Sequence, residues 1–115
     1  KNTKSLSEEQ QKQKEGELIL KEIHPGDTVV LLDEHGMELR SVEYAKWLKQ
    51  KQNIARRLVF IIGGPYGFSP NIYARSNEKI SLSRMTFSHQ MVRLIFTEQL
   101  YRACTIIKGE PYHHE

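Results

Sequence analysis

The sequence predicts an α/β fold, a parallel sheet covered by helices on both faces, on three observations. Two short runs, Thr28 to Asp33 and Leu58 to Ile62, are β-branched and continuously apolar in their middles, the pattern of strands buried on both sides. Segments of helical periodicity alternate with those runs along the chain. Turn formers, His24-Pro25-Gly26-Asp27 and Gly63-Gly64-Pro65-Tyr66-Gly67, punctuate the boundaries. Strands that alternate with helices close into a parallel sheet with helical cover.

Each element has its own signal. Ser7, with Gln10 three residues on, fits a capping box and starts a helix that runs to Ile23, with Leu18, Ile19 and Ile23 as its apolar stripe. The first strand, Thr28 to Asp33, is expected to end at Glu34-His35-Gly36. A second helix spans Ser41 to Gln52, its inner face drawn from Val42, Tyr44, Trp47 and Leu48. Leu58 to Ile62 is the second strand. Ser69-Pro70 then reads as an N-cap with proline at the first helical position, opening a short helix to Ser76. Lys79 to Ser83 is the weakest strand, and a long helix runs from Ser88 to Lys108.

That last helix is apolar over a broad arc formed by Val92, Ile95, Phe96, Leu100, Ala103, Ile106 and Ile107, widened by Leu94, Tyr101 and Cys104. Its plainly polar stripe is Glu98, Arg102 and Thr105, with Glu98 and Arg102 in the favourable i,i+4 order. Such a helix needs cover on more than one side, and a second copy of the chain is the simplest second cover, so a homodimer is expected.

Composition narrows the class. A length of 115 residues suits one domain over residues 1–115. The longest apolar run, Leu58 to Ile62, is far short of the ~18 residues of a membrane span, and no basic-then-apolar leader opens the chain. The expectation is a soluble protein with no membrane partner. Cys104 is the sole cysteine, which excludes an internal disulfide and a cysteine zinc site and favours a reducing, cytoplasmic location.

The net charge of +3 conceals an asymmetry: residues 1–43 carry six basic and ten acidic side chains, a balance of −4, and residues 44–115 carry eleven and four, a balance of +7. No Asp or Glu falls between Tyr44 and Asn77, where Lys46, Lys49, Lys51, Arg56, Arg57 and Arg75 lie. Such a stretch either attracts phosphate or is a solvated face.

In a parallel α/β sheet ligands bind beyond the carboxyl ends of the strands, here Leu32 to Gly36, Gly63 to Gly67 and Leu82 to Phe87. The glycine-rich second loop either brings backbone close to a ligand or is only a tight strand-to-helix turn. It has no Lys-Ser/Thr after its last glycine and does not match G-x-G-x-x-G, so neither a P-loop nor a dinucleotide fingerprint is present. His24, His35, His89, His113 and His114 show no i,i+4 ligand spacing, and no metal is expected. His89, at the start of the long helix beside the third loop, is either a buried or capping residue or a group that takes a proton. Ser69 and Ser83 have no nearby histidine and acid in sequence to form a triad.

Four segments carry a family resemblance. They are Ile61-Ile62-Gly63-Gly64-Pro65-Tyr66-Gly67-Phe68-Ser69-Pro70, Ser81-Leu82-Ser83-Arg84-Met85-Thr86-Phe87-Ser88-His89, Glu98-Gln99-Leu100-Tyr101-Arg102-Ala103 and the ending Gly109-Glu110-Pro111-Tyr112-His113-His114-Glu115. In order and spacing, over about the last three quarters of the chain, they resemble the RlmH family of ribosomal RNA large-subunit methyltransferases, of the knotted SPOUT class.

The resemblance implies S-adenosyl-L-methionine as methyl donor and, as acceptor, N3 of a pseudouridine in 23S ribosomal RNA on the assembled ribosome. It also implies a homodimer and a C-terminal trefoil knot, a rare exception to unknotted chains. By position the donor-binding residues are Leu32, Gly63, Leu82, Ser83, Arg84, Met85, Thr86 and Phe87, on the three strand-end loops already selected. His89, or His113 in the Tyr112 to His114 tail, is the candidate to assist deprotonation of the acceptor. Family members usually begin with a further strand and helix, so the chain reads as shortened at its N-terminus. His114 stands where a basic tail residue is common. The competing reading is a non-catalytic ribosomal RNA-binding module with the same fold, against which the intact third loop argues.

Overall fold

A computed structural model describes residues 7–63, 67–83, 85 and 87–114, with His89 described in its backbone only. In chain order the elements are α1 (Glu8–Leu20), β1 (Asp27–Glu38), α2 (Ser41–Ile54), β2 (Arg57–Ile62), α3 (Pro70–Arg75), β3 (Glu78–Ser81) and α4 (His89–Lys108). The strands form one parallel sheet in the order β2-β1-β3.

β1 is central, and its side chains divide between two cores. Val29 and Leu31 join Ile61, Phe68 and Ile72 on the face covered by α1 and α3, with Ile19, Leu20 and Ile23 packed against them. Val30 joins Tyr44, Ala45, Leu48, Ile80 and Ala103 on the face covered by α2 and α4. Val29, Val30 and Leu31 are 0% exposed, and burial of each stabilises the fold by about 1.5–3 kcal/mol. Alternation across a pleated strand therefore explains why an unbroken apolar run was needed.

Helix starts follow their sequence signals. Gln10 N–H donates to Ser7 Oγ (3.1 Å) and Ser7 N–H to Gln10 Oε1 (2.9 Å), completing the capping box. Ser88 caps α4 by accepting from Met91 N–H (3.2 Å). Pro70 occupies the first position of α3.

Three details differ from expectation. Glu34-His35-Gly36 does not end β1; the strand passes through an irregularity and resumes pairing, Met37 with Ile80 and Glu38 with Ser81. Gly36 permits this, since a Cβ there would stand 2.6 Å from Ile80 N and Lys79 C. Leu18 is 59% exposed, and Leu20 takes its place beside Ile19 and Ile23. Thr105 is buried, its hydroxyl satisfied by Arg102 O at 2.7 Å, which is how a polar side chain tolerates that position.

The amino-terminal edge of the sheet is pinned by charge. Arg57 grips Asp27 with two hydrogen bonds, Nε to Oδ1 (3.0 Å) and Nη2 to Oδ2 (2.6 Å), and this pairing together with the His24 N–H holds the Asp27 carboxyl down at about 2. Arg75 donates to the His24 and Asp27 carbonyls, and Lys51 pairs with Glu78. Three of the six cations in the acid-free stretch thus hold the fold together. Lys46, Lys49 and Arg56 remain exposed.

Candidate functional site

Because the strands are parallel, Leu32 of β1 and the ends of β2 and β3 lie on one edge of the sheet. Leu32 pairs with Ile62 on one side and Ile80 on the other, so the irregular stretch of β1 after Leu32 and the loops that follow β2 and β3 leave from one place. There they enclose an open cavity of about 1150 Å³. Of the eight donor positions named from sequence, Leu32, Gly63, Leu82, Ser83, Met85 and Phe87 line this cavity. Arg84 and Thr86 lie outside the described residues, as does Gly64-Pro65-Tyr66 of the second loop.

The third loop owes its shape to its serines. Ser81 Oγ donates to Ser83 O (3.1 Å), and Ser83 Oγ accepts from Met85 N–H (2.9 Å), a side-chain turn that substitutes for ladder bonds once β3 ends. Met85 is left 73% exposed and Phe87 38% exposed, both on the cavity. Large apolar groups presented to a cavity are the lining expected of a small-molecule site.

The polar side of the cavity is built around Asp33. Its carboxylate accepts from the Tyr73 hydroxyl (2.5 Å) and from the His35 backbone N–H (2.9 Å), with the His35 ring 3.3 Å away. Burial alone would raise the Asp33 pKa, but the bonds from Tyr73 and His35 outweigh it and the net shift is downward. The Tyr73 hydroxyl is correspondingly pushed up to about 12, first by burial and then by Asp33. This pair ties the irregular stretch of β1 to α3, the element that follows the second loop. Glu15 from α1 and Glu34 add two more carboxylates, with no lysine or arginine among the described lining. The amino end of α4 contributes its N-cap Ser88 and Val92 to the lining, bringing the partial positive charge of a helix amino end to the cavity.

Several of these residues had no sequence signal. Asp33 falls in the Leu32 to Gly36 stretch singled out from the sequence, but its partner Tyr73 lies 40 positions on, and Glu15 and Leu18 belong to a helix that precedes every strand. Leu18 had been assigned to the core stripe, as had Val92 and Ile95, which also face the cavity. Their distance from the strand ends in sequence hid them.

The proton-transfer candidates divide. His89 is the first residue of α4, beside the cavity-lining Ser88, and its side chain lies outside the description. His113 is not in the cavity lining; its Nδ1 lies 2.9 Å from Arg102 Nη1 on α4. Ser69 is buried and bonded to Asn71, which makes it a packing residue. Among the described residues no group of His, Cys, Asp and Glu is arranged to hold a metal, and no helix is long and apolar enough to cross a membrane.

Comparison with known proteins adds the family. A family profile described as "Predicted SPOUT methyltransferase" matches residues 1–113. A protein from Bacteroides fragilis named "Ribosomal RNA large subunit methyltransferase H" is 69% identical over 116 residues, covering 100% of this chain and 74% of the relative. Proteins of the same name from Phocaeicola vulgatus and Flavobacterium johnsoniae are 71% and 58% identical over the same shares of both chains. With the parallel sheet, its two helical layers and the loop cavity at the strand ends, these matches show that the chain belongs to the SPOUT methyltransferase family.

Proposed function

We propose that this chain is an S-adenosyl-L-methionine-dependent methyltransferase that methylates N3 of a pseudouridine in 23S ribosomal RNA of the large subunit, on the assembled ribosome. The observation that carries the reading is the convergence of the irregular stretch of β1 and the loops after β2 and β3 on one cavity, lined by six of the eight donor positions. The relatives' names supply the ribosomal RNA substrate.

The residues present fit such a donor. Its aminocarboxylate end is zwitterionic and its sulfur is cationic, and the cavity sets the Asp33, Glu34 and Glu15 carboxylates against a helix amino end. Its adenine face is apolar, and Leu32, Met85 and Phe87 offer matching walls. When bound, the donor supplies a methyl group on a positively charged sulfur. The chain's part is to hold that methyl in line with the acceptor nitrogen and to exclude water, from which most of the acceleration comes. Ser83 sets the third loop, and the Asp33–Tyr73 bond keeps the first loop and α3 in register with it. His89 is proposed as the group that takes the acceptor's proton.

Exposed Met91, Leu94 and Tyr101 on α4 support a homodimer through that helix. The exposed cations Lys46, Lys49 and Arg56 suit an RNA partner. A cytoplasmic location and a C-terminal trefoil knot complete the proposal.

Calorimetry with S-adenosylmethionine tests it: saturable binding is expected, weakened in Phe87→Ala. A folded chain that binds no donor would favour the non-catalytic RNA-binding reading and overturn this one. His89→Ala should slow single-turnover methylation with donor affinity intact, and an unchanged rate removes His89 from the mechanism.

A further inference from the structure

Glu15 reaches the donor cavity from α1, a helix on which the sequence named no donor position. Its backbone is fixed by its neighbour. Gly16 is buried where α1 meets α3, and a Cβ there would overlap Ser69 Oγ and stand 3.1 Å from Asn71 Oδ1 and 3.2 Å from Ile72 Cγ1. This close approach, open to glycine, sets the turn that bears Glu15 against the start of α3. Glu15, Ile19, Gly63, Gly67 and Phe68 then line both the cavity and a small cleft beside it.

The three carboxylates of the described lining are not equivalent. Asp33 is engaged by the Tyr73 hydroxyl, by the His35 N–H and by the His35 ring. Glu34 has 53% of its side chain exposed, where solvent screens it, and the His35 ring stands 4.0 Å away. Glu15 is half-buried, and its Oε2 accepts from Gln11 Nε2 at 3.3 Å, a neutral partner. Lys12, which lines the cleft, is paired with Glu9 at 3.3 Å. Among these acids Glu15 is therefore the one whose charge is neither matched by a cation among the described residues nor largely screened by solvent.

Methyl transfer changes the charge of what the cavity holds. The methyl moves to the acceptor nitrogen, the S–CH3 electron pair stays on sulfur, and the acceptor's proton goes to the base, for which His89 is proposed. A cationic sulfonium becomes a neutral thioether, while the ammonium and carboxylate of the amino-acid end are unchanged. A carboxylate held in place without a cation beside it separates these two species by charge.

We propose that Glu15 is a specificity-determining residue that reads the charge on the donor's sulfur, so that the cavity holds the sulfonium donor and releases the thioether product. This rests on the function proposed above. Attraction between two unit charges in a half-buried site is worth about three- to tenfold in affinity. Loss of the Glu15 charge should weaken the donor by that factor and leave the product unaffected.

Calorimetry on the full chain tests this with three probes: S-adenosylmethionine, S-adenosylhomocysteine, and the analogue that carries a protonated amine in place of the methylsulfonium. The unaltered chain should bind the two cationic probes about three- to tenfold more tightly than S-adenosylhomocysteine. In Glu15→Gln, which keeps the size of the side chain, that preference should fall to within about twofold. Glu17→Gln removes an equal charge from an exposed position of the same helix, outside the cavity lining, and should keep the preference. An equal loss for all three probes in Glu15→Gln would place the contact at the ammonium or the ribose and overturn the proposal. An unaltered chain that binds S-adenosylhomocysteine as tightly as S-adenosylmethionine overturns it too, and leaves the methyltransferase reading in place. Binding of none of the three overturns that reading, and this proposal with it.

Discussion

Replacing Gly36 with alanine should damage the sheet and the donor cavity together. The new Cβ would lie 2.6 Å from Ile80 N and Lys79 C, about 0.8 Å inside the 3.4 Å at which ordinary contact begins, and those atoms are strand backbone that cannot rotate away. β3 has only four residues, two of which pair with Met37 and Glu38 just beyond Gly36. Its retreat would carry Leu82 and Ser83 with it. Overpacking of this kind costs about 1–3 kcal/mol, which at about 4–8 °C per kcal/mol for small domains lowers Tm by about 5–20 °C. If about 1.4 kcal/mol must be restored when the donor binds, Kd weakens about tenfold. Differential scanning calorimetry and donor titration read both effects. Gly26→Ala is the control, because a Cβ there meets only the Arg56 side chain, at 3.2 Å, and should change stability by less than about 0.5 kcal/mol. Equal Tm and equal donor affinity for the two variants would refute the reasoning.

Other substitutions probe other links. The buried Tyr44 hydroxyl has no hydrogen-bond partner among the described residues, and burial pushes its pKa up to about 12; Tyr44→Phe should therefore leave stability unchanged or raise it by up to about 1–2 kcal/mol in urea unfolding, whereas a loss above about 1 kcal/mol would reveal a bond to that hydroxyl. Asp27 has its pKa lowered from 3.8 to about 2, so it binds fewer protons folded than unfolded; its stabilisation is full above about pH 4 and disappears as pH falls through about 2. The stability gap between wild type and Asp27→Asn should shrink over that window, and a pH-independent gap would contradict the Arg57 clamp. Gly16→Ala should destabilise despite alanine's helix propensity, about 1 kcal/mol better than glycine, because its methyl would overlap Ser69 Oγ where α1 meets α3; a raised Tm would show that those helices can separate. Tyr73→Phe removes the bond to Asp33 and should weaken donor binding about fivefold, equivalent to about 1 kcal/mol.

What could be read from the sequence was local. The Ser7–Gln10 box and Ser88 mark helix starts through bonds made within three residues, Pro70 marks one by its fixed backbone angle, and the two-sided burial of Val29 to Leu31 follows from an unbroken apolar run. The cavity was legible because a parallel sheet collects its carboxyl ends on one edge, although β1 runs on through the first of the three expected loops. Contacts across the fold were not legible. The 33–73 bond, the approach of Gly36 to β3 and the return of Tyr112 and His113 onto Glu98 and Arg102 depend on which elements become neighbours in space. Charge was ambiguous for the same reason: Lys51, Arg57 and Arg75 could attract phosphate or form a solvated face, and neither reading anticipates their partners Glu78, Asp27 and two backbone carbonyls.

The central claim is that the cavity holding Leu32, Gly63, Leu82, Ser83, Met85 and Phe87 delivers a methyl group to ribosomal RNA. Its most direct test is to incubate the chain with ribosomes lacking the modification and S-adenosylmethionine carrying an isotopic methyl, then locate the label by mass spectrometry of 23S fragments. The account predicts one labelled nucleotide, a pseudouridine methylated at N3, with labelling reduced in Phe87→Ala. Bound donor with no label in ribosomal RNA, or label that Phe87→Ala leaves unchanged, would contradict it.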